Sequence, residues 1–210
     1  MAGVFGIFSE EDCIKDTLSG IFYLQNRSEE HCGMAWKNGG GVLRNSTHKG
    51  LVKNSYVLER GSTMNGTSAI ATVSGMREPV SEFSNKGGMI LCSDGNLSNS
   101  RVMRNNLLRD KASFSGCYNP GEICDSVLIS KIISRESSFE KGIESLTNCM
   151  EGDFALIALT QEGIYASRGW GRKPLILGKK EGSYAVSSES VSFINTGFEI
   201  LRDVEPGETV

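Results

Sequence analysis

The order of hydrophobic periods along this chain predicts an α+β fold, and three observations carry the prediction. Up to Cys92, apart from one helical stretch at 14–24, the apolar residues fall in short runs of β-branched and small side chains. From Ser100 to Met150 they fall at helical spacing. Beyond that, four short apolar runs at 154–159, 163–166, 174–178 and 184–187 are joined by Glu-Gly and Lys-Lys-Glu-Gly turns. Strands, then helices, then a meander of hairpins argue against alternating βαβ units and for antiparallel sheets with segregated helices.

The chain opens with Met1-Ala2-Gly3-Val4-Phe5-Gly6-Ile7, strand-formers interleaved with glycines that let another backbone approach closely. Glu10-Glu11-Asp12 place acidic groups at a helix start, and Ile14, Leu18, Ile21, Phe22 and Leu24 continue at near-helical spacing to Asn26. Residues 32–36 and 41–43 flank an Asn-Gly-Gly turn and read as a hairpin. Residues 46–66 are polar, with a weak helical pattern at 51–58. Residues 67–74 and 88–92 read as buried strands. Helical patterns follow at 100–110, 121–134 and 139–150, Pro120 marking the start of the second. A short helix at 191–195 leads to the closing strand.

Composition narrows the class. At 210 residues, 39% hydrophobic and 22% charged, with no linker, the chain reads as a single domain over 1–210. No apolar run is long enough to cross a bilayer and no leader precedes the first strand, so the expected location is the cytoplasm, away from membranes. A net charge of −3 without a Lys/Arg cluster gives no footprint for nucleic acid. Six cysteines without a Cys-x-x-Cys pair read as reduced thiols, and two separated histidines, His31 and His48, form no metal site. Neither cofactor nor metal is expected, and the chain lacks the Gly-rich phosphate loops of nucleotide sites.

The opening resembles the Met-Cys-Gly-Val-x-Gly-Ile start of class II glutamine amidotransferases, most closely the glutaminase half of glutamine phosphoribosylpyrophosphate amidotransferase. The likeness continues in order through Leu24-Gln25-Asn26-Arg27, Asp94-Gly95-Asn96-Leu97-Ser98-Asn99, Asp125-Ser126, Gly171-Arg172-Lys173-Pro174-Leu175, Ser188-Glu189-Ser190 and Arg202-Asp203-Val204-Glu205-Pro206-Gly207-Glu208. It implies a definite version of the α+β class. This is the four-layer αββα N-terminal nucleophile hydrolase sandwich, two stacked antiparallel sheets between helix layers.

The same resemblance assigns roles, residue by residue, and shows where this chain departs from them. In the family, removal of Met bares a Cys whose α-amine is the base for its own thiol; here the nucleophile position is Ala2. The oxyanion positions are Asp94 and Gly95, so a family Asn has become a carboxylate that repels developing negative charge. The Arg that clamps the substrate carboxylate aligns with Ser74, and the substrate-closing loop after it is short, reaching Glu78-Pro79-Val80 almost at once. Asp125 matches the amine-binding Asp, Arg27 is retained, and the Arg of the Gly-x-Arg-Pro-Leu turn is Lys173. Arg77 reads as a solvated loop charge, Cys32 and Cys92 as buried thiols rather than substitute nucleophiles. Asp94 and Asp125, with no Arg opposite, are expected to attract an amine or cation, or else one of them to titrate high, the alternative being that each is satisfied by backbone amides.

Three functional readings follow. The first is a catalytically degenerate glutaminase-like domain kept as a binding, regulatory or assembly module. The second is a glutaminase subunit supplying ammonia to a partner synthase, its Cys nucleophile replaced by Ala2 through engineering. The third is another amide hydrolase with an unrecognised nucleophile. The former glutamine pocket is expected to take glutamine, glutamate or a small amine, and the domain to form a homodimer or to pack on a synthase-type partner chain. No phosphoribosyltransferase domain is read in these residues, and the end at Val210, inside an apparent strand, leaves room for a longer native protein.

Overall fold

The computed structural model describes residues 1–54, 64–84, 87–114 and 123–210. In chain order their strands are β1 Gly3–Ser9, β2 His31–Lys37, β3 Leu43–Lys49, β4 Ser68–Ser74, β5 Val80–Ser84, β6 Gly87–Leu97, β7 Gly152–Leu159, β8 Ile164–Arg168, β9 Ile176–Lys180, β10 Ser183–Ser187 and β11 Glu199–Asp203. These form two sheets. The seven-stranded sheet runs β11-β9-β10-β1-β4-β2-β3 and the four-stranded sheet runs β5-β6-β7-β8. Every pairing between them is antiparallel.

β1 lies at the centre of the larger sheet, and its alternation assigns its two faces. Phe5 and Ile7 point to a cluster with Ile14, Leu18 and Ile21 of α1 (Ile14–Phe22) and Phe193 of α5 (Val191–Thr196). Val4 points the other way, into a cluster between the sheets that holds Ile70, Ile90, Ala155, Ile157 and Val186. β7 is buried on both faces: Ala155, Ile157 and Leu159 fill the space between sheets, while Phe154, Leu156 and Ala158 meet the second helix layer. That layer is α2 (Ser100–Arg109), α3 (Asp125–Arg135) and α4 (Phe139–Cys149), which contribute Met103, Ile129, Ile133, Ile143 and Leu146. Three apolar interfaces between four layers are what this period-two alternation requires. The expected αββα sandwich is the observed fold.

Several element bounds differ from the sequence reading, for local reasons. The first helix is shorter, because Asp12 turns aside to accept from Gly66 N–H at 2.8 Å, and the chain after Phe22 tightens into a 3₁₀ turn at Gln25–Arg27. β6 runs past the expected end at Cys92 through Ser93-Asp94-Gly95-Asn96, polar residues that pair with β7. β3 lies in a polar stretch and β5 has no strand signal in the sequence; each takes its order from a neighbouring strand rather than from its own pattern. Of the 51–58 pattern, Val52–Asn54 forms a 3₁₀ turn and 55–58 lie outside the described residues, as do 121–122 at the start of the 121–134 pattern. No helix among the described residues is long and apolar enough to cross a membrane.

Candidate functional site

The start of β1, the Gln25–Arg27 turn and the far end of β6 converge at one edge of the sandwich. Gly3 makes the approach possible: a Cβ there would stand 2.9 Å from Leu24 Cβ and 3.1 Å from Arg27 Cδ. Without one, the Arg27 side chain lies against β1, and its Nε donates to Ala2 O at 2.6 Å. The same guanidinium donates to Asp94 Oδ2 at 2.5 Å and to Glu189 Oε1 at 2.7 Å.

Asp94 is the hub of this edge. It is 1% exposed, and besides Arg27 it accepts from Lys173 Nζ at 2.9 Å and from Ala2 N–H at 3.0 Å, both on Oδ1. The Lys173 turn is fixed by β7, since Asp153 Oδ2 takes the backbone N–H groups of Arg172 and Lys173. Glu189 is fixed by the chain leaving β10, where Ser188 Oγ accepts from Val4 N–H at 3.0 Å. Two carboxylates and two cations thus alternate in one charge-balanced chain. Charge-assisted bonds of this kind compensate the burial of Asp94.

This corrects one expectation. Asp94 does not stand unpaired with no arginine opposite it, because Arg27 and Lys173 both reach it. Arg27 bridges three elements. Sequence reasoning gave Glu189 and Lys173 no role in the site, although both lie in stretches that carry the resemblance. Asp125, at the start of α3, stands apart from the network, with Oδ2 accepting Leu97 N–H at 2.8 Å. Partial burial pushes its carboxyl up. Gly95 pairs with Phe154 of β7. Ser74 ends β4 one residue past Val73, the partner of Gly3, and is 6% exposed, with its Oγ accepting Met76 N–H. Arg77 Nε donates to Thr47 Oγ1 in an exposed contact, away from Asp94.

Behind this edge lies a second acid that sequence reasoning missed. Glu78 is 4% exposed; Ser126 Oγ donates to its Oε1, and Ser93 Oγ lies 2.7 Å from Ser126 Oγ, making a hydroxyl chain into the carboxyl. Its Oε2 is buried and meets no hydrogen-bonding group among the described residues. Burial pushes the Glu78 carboxyl up to about 7, with the charges of Asp125 and Asp94 adding to the effect. A polar loop before a proline gave no hint that this glutamate turns inward.

The buried thiols Cys13 and Cys92 are structural. Cys92 is fully buried between the sheets and burial pushes it well above the ordinary thiol range; Cys13 is pushed up to about 12. Such thiols are poor nucleophiles. No His/Cys/Asp/Glu cluster suited to a metal occurs among the described residues.

Comparison with known proteins bears on this edge. A glutamine amidotransferase domain profile matches residues 66–195. The amidophosphoribosyltransferase of Methanocaldococcus jannaschii is 27% identical over 100% of this chain and 46% of its own length. That of Bacillus subtilis is 28% identical over 98% of this chain and 44% of its own. The chain therefore spans about half the length of the curated relatives it matches. Among solved structures, the B. subtilis glutamine phosphoribosylpyrophosphate amidotransferase complexed with ADP and GMP superposes with a TM-score of 0.87 at 27% identity, over 99% of this chain and 46% of that one. A glutamine aminotransferase class-II domain protein from Silicibacter pomeroyi, with a TM-score of 0.65 at 11% identity over 99% of this chain and 93% of that one, shares the fold. Profile, relatives and superposition agree that the chain belongs to the glutamine amidotransferase family, as a class II domain homologous to the glutaminase half of amidophosphoribosyltransferase.

Proposed function

We propose that this domain is silent as a glutaminase and acts through binding or assembly. The observation that carries the reading is the state of Asp94 beside Ala2. The resemblance assigns Ala2 the nucleophile's place, and a methyl group can form no thioester. It assigns Asp94 an oxyanion donor's place, yet this residue is a buried carboxylate whose oxygens are engaged by Arg27, Lys173 and Ala2 N–H. A tetrahedral oxyanion formed there would meet fixed negative charge where the reaction needs a donor. At the position assigned to the carboxylate clamp, Ser74 binds its own loop.

The changes agree with one another, which favours a settled structure over a single engineered knock-out. Replacing Cys by Ala accounts for Ala2 alone; it explains neither the Asp94–Lys173 pair nor Ser74. Asp125 keeps a carboxylate at the position assigned to an amine, so the pocket is read as a binding pocket for an amino compound. A homodimer or a synthase-type partner chain is the proposed context in which such binding has an effect. Incubating the unaltered protein with glutamine and assaying ammonia tests the reading. No release above a heat-treated control is expected, and steady turnover would overturn it.

A further inference from the structure

We infer that Asn38 is a self-modification site: the turn between β2 and β3 sets its carboxamide up for attack by the Gly39 backbone nitrogen, which converts Asn38 to aspartate and isoaspartate through a cyclic imide. The site owes nothing to the Ala2 edge and stands apart from the functional reading given for it.

The sequence holds two Asn-Gly pairs, Asn38-Gly39 and Asn65-Gly66, and the structure treats them in opposite ways. A glycine after asparagine leaves the attacking nitrogen unshielded, because no Cβ stands beside it. At Gly39 that nitrogen is also uncommitted. The residue is exposed, its N–H donates to no protein group among the described residues, and a Cβ built on it meets nothing within 4 Å. The Asn38 side chain folds back over the turn, where Gly40 N–H donates to its Oδ1 at 3.1 Å and Val42 N–H at 2.8 Å. Two donors on one atom identify it as the amide oxygen. The main chain closes around them, with Asn38 N–H donating to Val42 O at 3.1 Å and Gly41 N–H to Asn38 O at 2.8 Å, so both donors are held in place.

Asn65-Gly66 has none of this freedom. Gly66 is buried, its N–H donates to Asp12 Oδ1 at 2.8 Å, and its carbonyl accepts Cys13 N–H at 2.9 Å. A Cβ there would stand 2.6 Å from Lys37 O. To reach the Asn65 side chain, the Gly66 nitrogen must give up a charge-assisted bond and move within a packed contact.

The reaction needs only water. The Gly39 nitrogen loses its proton to solvent base and bonds to Asn38 Cγ. The charge that develops on Oδ1 falls where the Gly40 and Val42 N–H groups already point, as in an oxyanion hole. The Cγ–Nδ2 bond then breaks, Nδ2 takes a proton from water and leaves as ammonia, and the cyclic imide remains. Water opens the ring at Cγ to give aspartate, or at the main-chain carbonyl to give isoaspartate. An aspartate keeps both donors and preserves the turn. An isoaspartate adds a carbon to the main chain beside the Lys37–Leu43 pair, and so strains the register of β3, whose Leu43 packs on the cluster between the sheets.

The test is peptide mapping by mass spectrometry of the whole protein aged in warm, mildly alkaline buffer, beside the same chain aged unfolded in urea. In the folded protein Asn38 is expected to convert about tenfold or more faster than Asn65. Folding should leave the Asn38 rate undiminished and slow Asn65. Gly39→Ala, whose Cβ enters open space, should keep the native Tm and slow Asn38 severalfold without changing Asn65. Equal rates at the two asparagines in the folded protein, an Asn38 rate that falls on folding, or a folded Gly39→Ala that ages as fast as the native chain would each overturn the inference. Asn38 releases at most one ammonia per chain, with or without glutamine, so a glutamine-free sample separates this reaction from turnover. Its failure would leave the silent-glutaminase reading intact.

Discussion

Asp94 and Glu78 are both buried acids near one edge of the sandwich, 1% and 4% exposed, and they meet the cost of burial in opposite ways. Asp94 is surrounded by two cations and a backbone N–H, and its partners come from β1, the Gln25–Arg27 turn and the turn before β9. Glu78 has the Ser126 hydroxyl on one oxygen and the Ser93 backbone N–H favouring its charged form, but no cation among the described residues. The first arrangement locks three elements together through fixed charge. The second leaves a carboxyl that changes state near neutral pH. Depth of burial is nearly the same, so the supply of donors decides which acid is structural and which is responsive.

The largest effect is expected from breaking the locked side. Arg27→Met leaves the Asp94 carboxylate with one cation and removes a donor to Ala2 O. A loss of about 3–5 kcal/mol is expected in urea unfolding, in line with removal of one partner from a buried pair. Adding Asp94→Asn to Arg27→Met should recover part of it, because the uncompensated charge is gone. If the single variant is as stable as the native protein, the network is not the lock described here.

Glu78 extends the contrast through pH. Its folded value, about 7, lies above the ordinary 4.5, so its contribution to stability is fully present below the ordinary value and is lost as pH rises through about 7. The difference corresponds to about 3 kcal/mol across that window. Glu78→Gln should flatten this part of the profile of unfolding free energy against pH. A native profile that is level between pH 5 and 8, or a variant that keeps the slope, would show that Glu78 is not the responsive group.

The smallest effect marks the baseline for charge pairs. Arg135–Asp110 is a 2.9 Å pair with side chains 38% and 64% exposed. Arg135→Ala should cost under about 1 kcal/mol in the same urea assay, because solvent already screens it. A loss as large as that of Arg27→Met would mean that exposure does not separate the two pairs.

Much of the fold was legible because its strands alternate for a core on each side. Val4 and Phe5, or Phe154 and Ala155, point to different apolar interfaces, so both residues of each pair read as hydrophobic. β3 and β5 were hidden or mis-bounded because edge strands have polar patterns and take their register from a neighbour. At the site, the motifs pointed to Ala2, Arg27, Asp94, Gly95, Ser74 and Asp125, but not to what each touches; the structure joins Ala2, Arg27 and Asp94, while Asp125 bonds to Leu97 instead. Lys173 reaches Asp94 across 79 residues of chain, and Glu189 reaches Arg27 across 162. Local spacing carries no signal for such contacts. Glu78 was invisible for the same reason, since its inward turn depends on Ser126 and on the close packing of its backbone against Gly33.

Glutamine hydrolysis by Ala2→Cys puts the silent site to its most direct test. Restoring a thiol repairs the most damaging of the changes, on the order of 10⁶ in rate by analogy with nucleophile knock-outs. The fixed Asp94 carboxylate remains, where one oxyanion donor is worth about 10²–10³, and Ser74 still offers no clamp. Adding Asp94→Asn as well strips Lys173 of its ion-pair partner and leaves Arg27 with Glu189 alone, so the site resists piecemeal repair. Ammonia release by Ala2→Cys alone is predicted to stay about 10³ or more below an intact site, with measurable turnover only once Ser74→Arg and Asp94→Asn are added. Turnover by Ala2→Cys alone at about 1 s⁻¹ or faster would contradict the silent-site reading and identify a working glutaminase that lacks only its thiol.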